Sequence, residues 1–276
     1  MGTALIDQKI DLPLPLWSAN CNLTHPKTVL KIHQDNISAG ADYITANTFR
    51  TTPRAYQKTG LSKTESIDKA KNSLVSAVQL AKEAALNHVE VIGSIAPLED
   101  CYSPELFPGK KTAIQEFSQI TEWMINENVD VLLFETMNNI TEIEAAMIAV
   151  QNVKCPVWVS LFLQDEYHLG SGESLKSCIG LLQNYRVDCL LLNCNSLEIT
   201  LKAMNTLINT WKRNWGIYPN LGVGKPAVDG CIEQFSSDEE FLNTIRSAVD
   251  LGATVIGGCC GTTSEQIKLL TNIFNP

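Results

Sequence analysis

The residues best suited to chemistry stand in the segment VIGGCCGTT, 255–263, where Cys259 and Cys260 are adjacent. Gly257 and Gly258 remove side-chain bulk ahead of them, and Gly261 permits a turn closed to other residues. Two thiolates that ordinary strand alternation would point apart are thereby free to aim at one metal ion. A third cysteine, Cys194, ends another apolar run, VDCLLLNC from 187. Three thiolates leave one tetrahedral position on Zn²⁺ open, the mark of a catalytic rather than a structural site. A substrate thiol filling that position is ionised at neutral pH, whereas a free thiol, with a pKa near ~8.5, stays mostly protonated. Three anionic ligands also keep electron density on the bound sulfur, which favours attack on a methyl group carried by a sulfonium or ammonium donor. Two other readings of the pair stand beside this one. Buried core cysteines on a last strand is the plainer, and a redox pair between Cys259 and Cys260, which closes a strained ring, is the other.

The elements that must position these thiols are legible as alternating patterns. Strand-like apolar runs occur at ADYITANTF (41–49), VEVIGSIAP (89–97), VDVLLFET (129–136), PVWVSLFL (156–163), VDCLLLNC (187–194), GIYPNLG (216–222) and ATVIGGCC (253–260). Eight helical patterns accompany them, from PKTVLKIHQDNISA (26–39) to SEQIKLLTNIFN (264–275). Thr141 with Glu144, and Thr262 with Glu265, have capping-box spacing and predict helix starts there. Strand then helix is the repeat, so the expectation is an α/β chain folded as one (β/α)8 barrel domain over 1–276, whose first unit has a helix and no strand. Catalytic groups in such barrels sit where the strands end at their carboxyl side. That rule selects Asn47, Ser94, Glu135, Ser160, Cys194, Asn220, Cys259 and Cys260. On its own, Glu135 reads equally as a rim ion pair or as a ligand-binding carboxylate.

Composition removes other classes. A 276-residue chain with 45% hydrophobic and 18% charged residues has the material for a large core. Its net charge of −9 is spread without a basic run, which argues against a nucleic-acid partner. No apolar stretch reaches the ~20 residues of a membrane span, and the first residues lack the form of a signal peptide, so a cytoplasmic location is expected. Nine cysteines, an odd number with no CxxC pair, argue against a disulfide framework and a zinc ribbon. Cys21, Cys101, Cys155, Cys178, Cys189 and Cys231 read as packing residues, and His25, His33, His88 and His168 as ordinary surface or helix positions. The stretch CYSPELFPGKK from 101 is long enough for a lid, and equally suits an ordinary loop. Nothing in the sequence specifies an oligomeric state.

The segments LWSANCNLTHPKTVLKIHQDNISAGADYITANTF, GSIAP, VDVLLFET, VWVSLFL, LLNCN, YPNLG and GGCCGTT together resemble the homocysteine S-methyltransferases along nearly the whole chain. The resemblance implies zinc on Cys194, Cys259 and Cys260, with Glu135 receiving the amino group of homocysteine. It further implies that Asn47 and Ser160 shape the amino-acid pocket and that Asn220 lies by the metal and contacts it when substrate is absent. Methyl transfer to the homocysteine thiol gives methionine, with homocysteine and a small charged methyl donor as the partners. LWSA followed by NLTHP looks more like the S-methylmethionine-using branch than the betaine branch. Family members normally open with a strand ending in Asp-Gly-Gly before Met-Gly-Thr, whereas this chain begins at MGTAL. The expectation is therefore a barrel lacking its first strand, from a start assigned too late or a truncated gene, and open along one seam. A weak or inactive zinc- or thiol-binding barrel of the same family is the alternative.

Overall fold

The computed structural model describes residues 1–224, 232 and 234–274. Seven strands are present: β1 (Tyr43–Thr45), β2 (Glu90–Ile95), β3 (Val131–Met137), β4 (Val157–Leu161), β5 (Cys189–Asn193), β6 (Trp215–Tyr218) and β7 (Val255–Ile256). They form a single parallel sheet in sequential order, curled into a half-barrel. Eight longer helices correspond to the expected patterns: α3 (Pro26–Ser38), α5 (Lys63–Ala85), α6 (Lys110–Asn126), α7 (Ile140–Ala149), α8 (Leu175–Leu182), α9 (Leu197–Thr210), α10 (Asp238–Asp250) and α11 (Ser264–Phe274). Three short helices, α1 (Gly2–Asp7), α2 (Cys21–Thr24) and α4 (Pro53–Gln57), carry too few turns to show a period and were not expected. No helix among the described residues is long and apolar enough to cross a membrane.

Alternation along the strands sorts the side chains into two cores. Leu132, Phe134, Val159, Leu190, Leu192 and Ile217 face outward and pack with the helices, Phe134 meeting Phe117 edge-on at 5.4 Å. Ile92, Leu133, Trp158 and Leu191 face the lumen and form a separate apolar floor, against which Tyr218 and Val255 rest. Two residues further along each of these strands comes a polar group: Ser94, Glu135, Ser160 and Asn193, joined by Tyr218 of β6. A strand's period of two places this polar layer directly above the floor. The site is thus built on the lumen face of the central strands.

The strand ends depart from regularity where function needs it. β3 shifts register between Phe134 and Met137, and Thr136 adopts φ +61, an unusual conformation for a β-branched residue. Such a bulge re-aims side chains at a barrel rim. The expected run ATVIGGCC is a strand only over Val255–Ile256, so Cys259 and Cys260 stand in the turn beyond it. The caps also differ from expectation. α7 begins earlier, capped by Asn139, whose Oδ1 accepts from the Glu142 N–H at 3.0 Å. α11 is capped by Thr263, not Thr262, with the Gln266 side chain returning to the Thr263 N–H at 2.9 Å.

β1 and β7 are the two edges of the sheet. Both face one central cavity of about 750 Å³, which Tyr43 and Thr45 line from one side and Val255 and Gly257 from the other.

Candidate active site

Cys194 follows β5 directly, held at φ +56, and its sulfur lies 2.8 Å from Cys259 Sγ and 3.8 Å from Cys260 Sγ. All three sulfurs lie within 4.8 Å of one another. Gly261, at φ +84, makes the turn that follows, and a Cβ there would meet the Gly222 backbone nitrogen at 2.7 Å.

Asn220 ties the two cysteine-bearing loops together. Its Nδ2 donates to the Cys194 carbonyl at 3.0 Å, and its Oδ1 accepts from the Cys260 N–H at 3.0 Å. The Cys260 carbonyl in turn accepts from the Leu221 and Gly222 N–H groups. Both ends of the amide are thereby committed to holding the thiols in place. Asn220→Ala is expected to weaken metal binding about tenfold to a hundredfold without loss of fold, read by competition with a chromophoric chelator.

The donor set suits a borderline-soft divalent ion. Zn–S bonds of ~2.3 Å set tetrahedral sulfurs about 3.8 Å apart. The Cys194–Cys260 spacing already matches, and the Cys194–Cys259 spacing has about an ångström to open. The three thiols act on one another unequally. Hydrogen bonds from Cys194 and Cys259 hold the Cys260 thiol well below its ordinary range, while the same contacts and burial push Cys194 well above it. No histidine or carboxylate joins the cluster among the described residues.

Glu135 lines the cavity and accepts from Ser94 Oγ at 2.6 Å. Burial, and secondarily the charge of Cys259, push its carboxyl up to about 7 against the opposing pull of the Ser94 and Tyr218 hydroxyls. The other three residues selected for substrate binding behave differently. Asn47 lines the cavity, yet its amide is spent on Ser18 and Asn22. Ser160 and Asn220 support the wall from behind. Ser160 Oγ donates to Asn193 Oδ1 at 2.6 Å, and Asn193 Nδ2 donates to Thr136 Oγ1 at 2.8 Å and reaches Cys259 Sγ at 4.0 Å. Asn193 and Tyr218 escape a reading that takes only the last residue of each apolar run. The signal for both was the alternation itself, two positions past a lumen-facing residue.

The loop after β2 forms a wall of the cavity through Asp100, Cys101 and Tyr102. It is pinned at several points: the Leu98 N–H donates to Glu142 Oε1 at 2.8 Å, Asn138 Nδ2 donates to the Cys101 carbonyl, and Arg50 pairs with Asp100 at 3.3 Å. Tyr102 also stands edge-on to Phe162 at 5.4 Å. Cys101, read from sequence as packing, reaches the cavity wall as a buried thiol whose pKa burial pushes up to about 12. Cys21, Cys178 and Cys189 are buried and Cys155 half-buried, away from the cluster. Cys231 lies outside the described residues.

A curled parallel sheet wrapped in helices, with its reactive groups gathered past the carboxyl ends of the strands, is the arrangement of a barrel-type enzyme. The homocysteine S-methyltransferase family matches residues 1–274. Homocysteine S-methyltransferase of Escherichia coli (strain K12) is 29% identical over 295 residues, covering 98% of this chain and 92% of its own length. Homocysteine S-methyltransferase 2 of Arabidopsis thaliana is 26% identical over 292 residues, covering 94% and 86%. The crystal structure of the homocysteine methyltransferase MmuM from Escherichia coli in its metallated form superposes with a TM-score of 0.85 at 26% identity, over 99% of this chain and 93% of that one. The chain belongs to the homocysteine S-methyltransferase family and is a methyltransferase.

Proposed function

We propose that this chain transfers a methyl group from a small cationic donor, S-methylmethionine first among candidates, to the thiol of homocysteine, with Zn²⁺ held by Cys194, Cys259 and Cys260. The observation that carries this reading is the convergence of three sulfurs within 4.8 Å beside a buried carboxylate. Bound zinc would supply one thing, ionisation of the acceptor thiol at neutral pH. The chain's own residues do the rest. Glu135 receives the acceptor's ammonium and so fixes the thiol end toward the cysteine cluster. Asn47 and Ser160 shape the pocket, and Asn220 keeps the ligand loops in register.

The chemistry asks for alignment more than for proton transfer. The acceptor sulfur forms a new S–CH₃ bond as the donor's C–S⁺ bond breaks, and the donor leaves as a neutral thioether. A cationic donor is favoured by the thiolate ligands and by Tyr102 on the cavity wall. The pinned loop after β2 gives the cavity a fixed wall beside the reacting atoms. Seven parallel strands in sequential order, with β1 and β7 as edges, support reading the fold as an eight-stranded barrel short of one strand.

The purified chain is expected to form methionine from homocysteine and S-methylmethionine in reducing buffer with zinc, and to stop when a chelator is added. The open sheet edges beside the cysteines favour a second reading, a zinc-binding barrel with little or no turnover. Retained zinc with no methionine, across sulfonium and ammonium donors alike, would select it.

A further inference from the structure

Tyr218 is the residue of the polar layer whose hydroxyl closes no well-formed hydrogen bond, although it leans toward Glu135 and Ser160. Its ring rests on the lumen floor of Leu133, Trp158 and Leu191, which fixes its direction. Its hydroxyl is buried and makes no hydrogen bond of good geometry among the described residues. It lies near enough to Glu135 and Ser160 to affect and be affected by them. Leaving a buried hydroxyl unpaired is costly, so a hydroxyl held this way on a cavity wall is suited to receive a ligand.

The other hydroxyls of the layer are engaged: Ser94 Oγ donates to Glu135 itself and Ser160 Oγ to Asn193. The Arg50 guanidinium also lines the cavity, with one N–H paired to Asp100 on the loop after β2. The other orphaned polar atom on the cavity wall, His33 Nε2, belongs to α3 in the helical layer. An α-amino acid carries its ammonium and its carboxylate on the same carbon. Once the ammonium is on Glu135, the carboxylate stands beside a like charge and needs a hydrogen-bond donor close by. Tyr218 offers one at that place.

We propose that the Tyr218 hydroxyl donates to the α-carboxylate of the amino-acid acceptor, so that Glu135 and Tyr218 together select a zwitterion over a simple aminothiol. This rests on the reading of Glu135 as the ammonium site. Calorimetric titration of the zinc-loaded chain with homocysteine and with 3-aminopropane-1-thiol, which lacks only the carboxylate, tests it without any methyl donor. Tyr218→Phe keeps the ring and removes the hydroxyl. The variant is expected to bind homocysteine about tenfold to a hundredfold more weakly and to bind 3-aminopropane-1-thiol as the unaltered chain does. Equal weakening toward both thiols would overturn the proposal and make Tyr218 a positioning residue for Glu135, and no weakening toward either would overturn it outright. If the unaltered chain binds neither thiol, the homocysteine reading itself fails and this proposal falls with it. Binding to the unaltered chain without methyl transfer would instead fault the donor assignment and leave the Tyr218 comparison fully readable.

Discussion

Replacing any one of Cys194, Cys259 or Cys260 is expected to abolish stoichiometric zinc and to lower kcat/KM for homocysteine on the order of a thousandfold or more. Two thiolates cannot close a tetrahedral site that also keeps a position for substrate, and the acceptor thiol then stays protonated near neutral pH. The effect should be almost all-or-none. Because the three sulfurs act as a unit, a double variant should be little worse than a single one.

The three cysteines are half-exposed and lie past the strand ends, so the loss should not be one of folding. Cys194→Gly is the sharpest form of the test. At φ +56 the backbone favours glycine, so this substitution relaxes local strain while deleting the ligand. A chain that melts at or above the unaltered temperature in chelator, yet retains no zinc after dialysis, would separate ligation from architecture. Full zinc content in all three single variants, measured by atomic absorption, would sink the assignment.

Much of this arrangement is legible before any coordinates. Apolar runs gave seven strands in the right order because buried parallel strands are continuous apolar segments, and the cysteines stood out because glycines flank them. What failed to read out was direction. The rule of taking the residue at the end of each run finds Cys194 and Asn220, but not Asn193 and Tyr218, which only the alternation along β5 and β6 points into the lumen. Asn220 looks like a ligand contact in sequence. Its amide turns out to bridge two loops, a matter of tertiary approach between residues far apart in the chain.

Local signals were also misplaced by competing chemistry. Thr141 with Glu144 has the spacing of a capping box, yet the bulge at Thr136 and the Asn138–Asn139 pair bring the helix in earlier, and Asn139 takes the cap. Real capping boxes stand at Ser62 with Glu65 and at Ser237 with Glu240. Spacing proposes a cap, but the preceding turn decides whether the backbone enters the helix there.

The pH response of homocysteine binding should carry a component set by Glu135, on top of the one set by the thiol's own ionisation. In the free chain the Glu135 carboxyl is pushed up to about 7, first by burial, and an ammonium bound beside it would pull that value back down. Between pH 7 and the thiol's own pKa, binding expels the thiol proton alone, and affinity falls by about tenfold per pH unit. Below about pH 7 the free carboxyl is protonated too, so binding must expel a second proton and the slope steepens to about a hundredfold per pH unit. Glu135→Gln should raise KM for homocysteine on the order of a hundredfold and remove the steepening below pH 7, because an amide has no proton to lose there. The sign for stability is opposite. A carboxyl whose folded pKa is raised above its unfolded value destabilises the fold as pH rises through the window between them, here from about 4.5 to about 7. Metal-free Glu135→Gln should therefore melt higher than the unaltered chain at pH 8 and show no such gain at pH 4, where both side chains are neutral. Weaker binding joined to a gain in stability at pH 8 alone is the signature of a charge kept buried for the substrate's sake. A purely structural carboxylate would lose both together, and a steepening below pH 7 that survives in Glu135→Gln would assign that titration to another group.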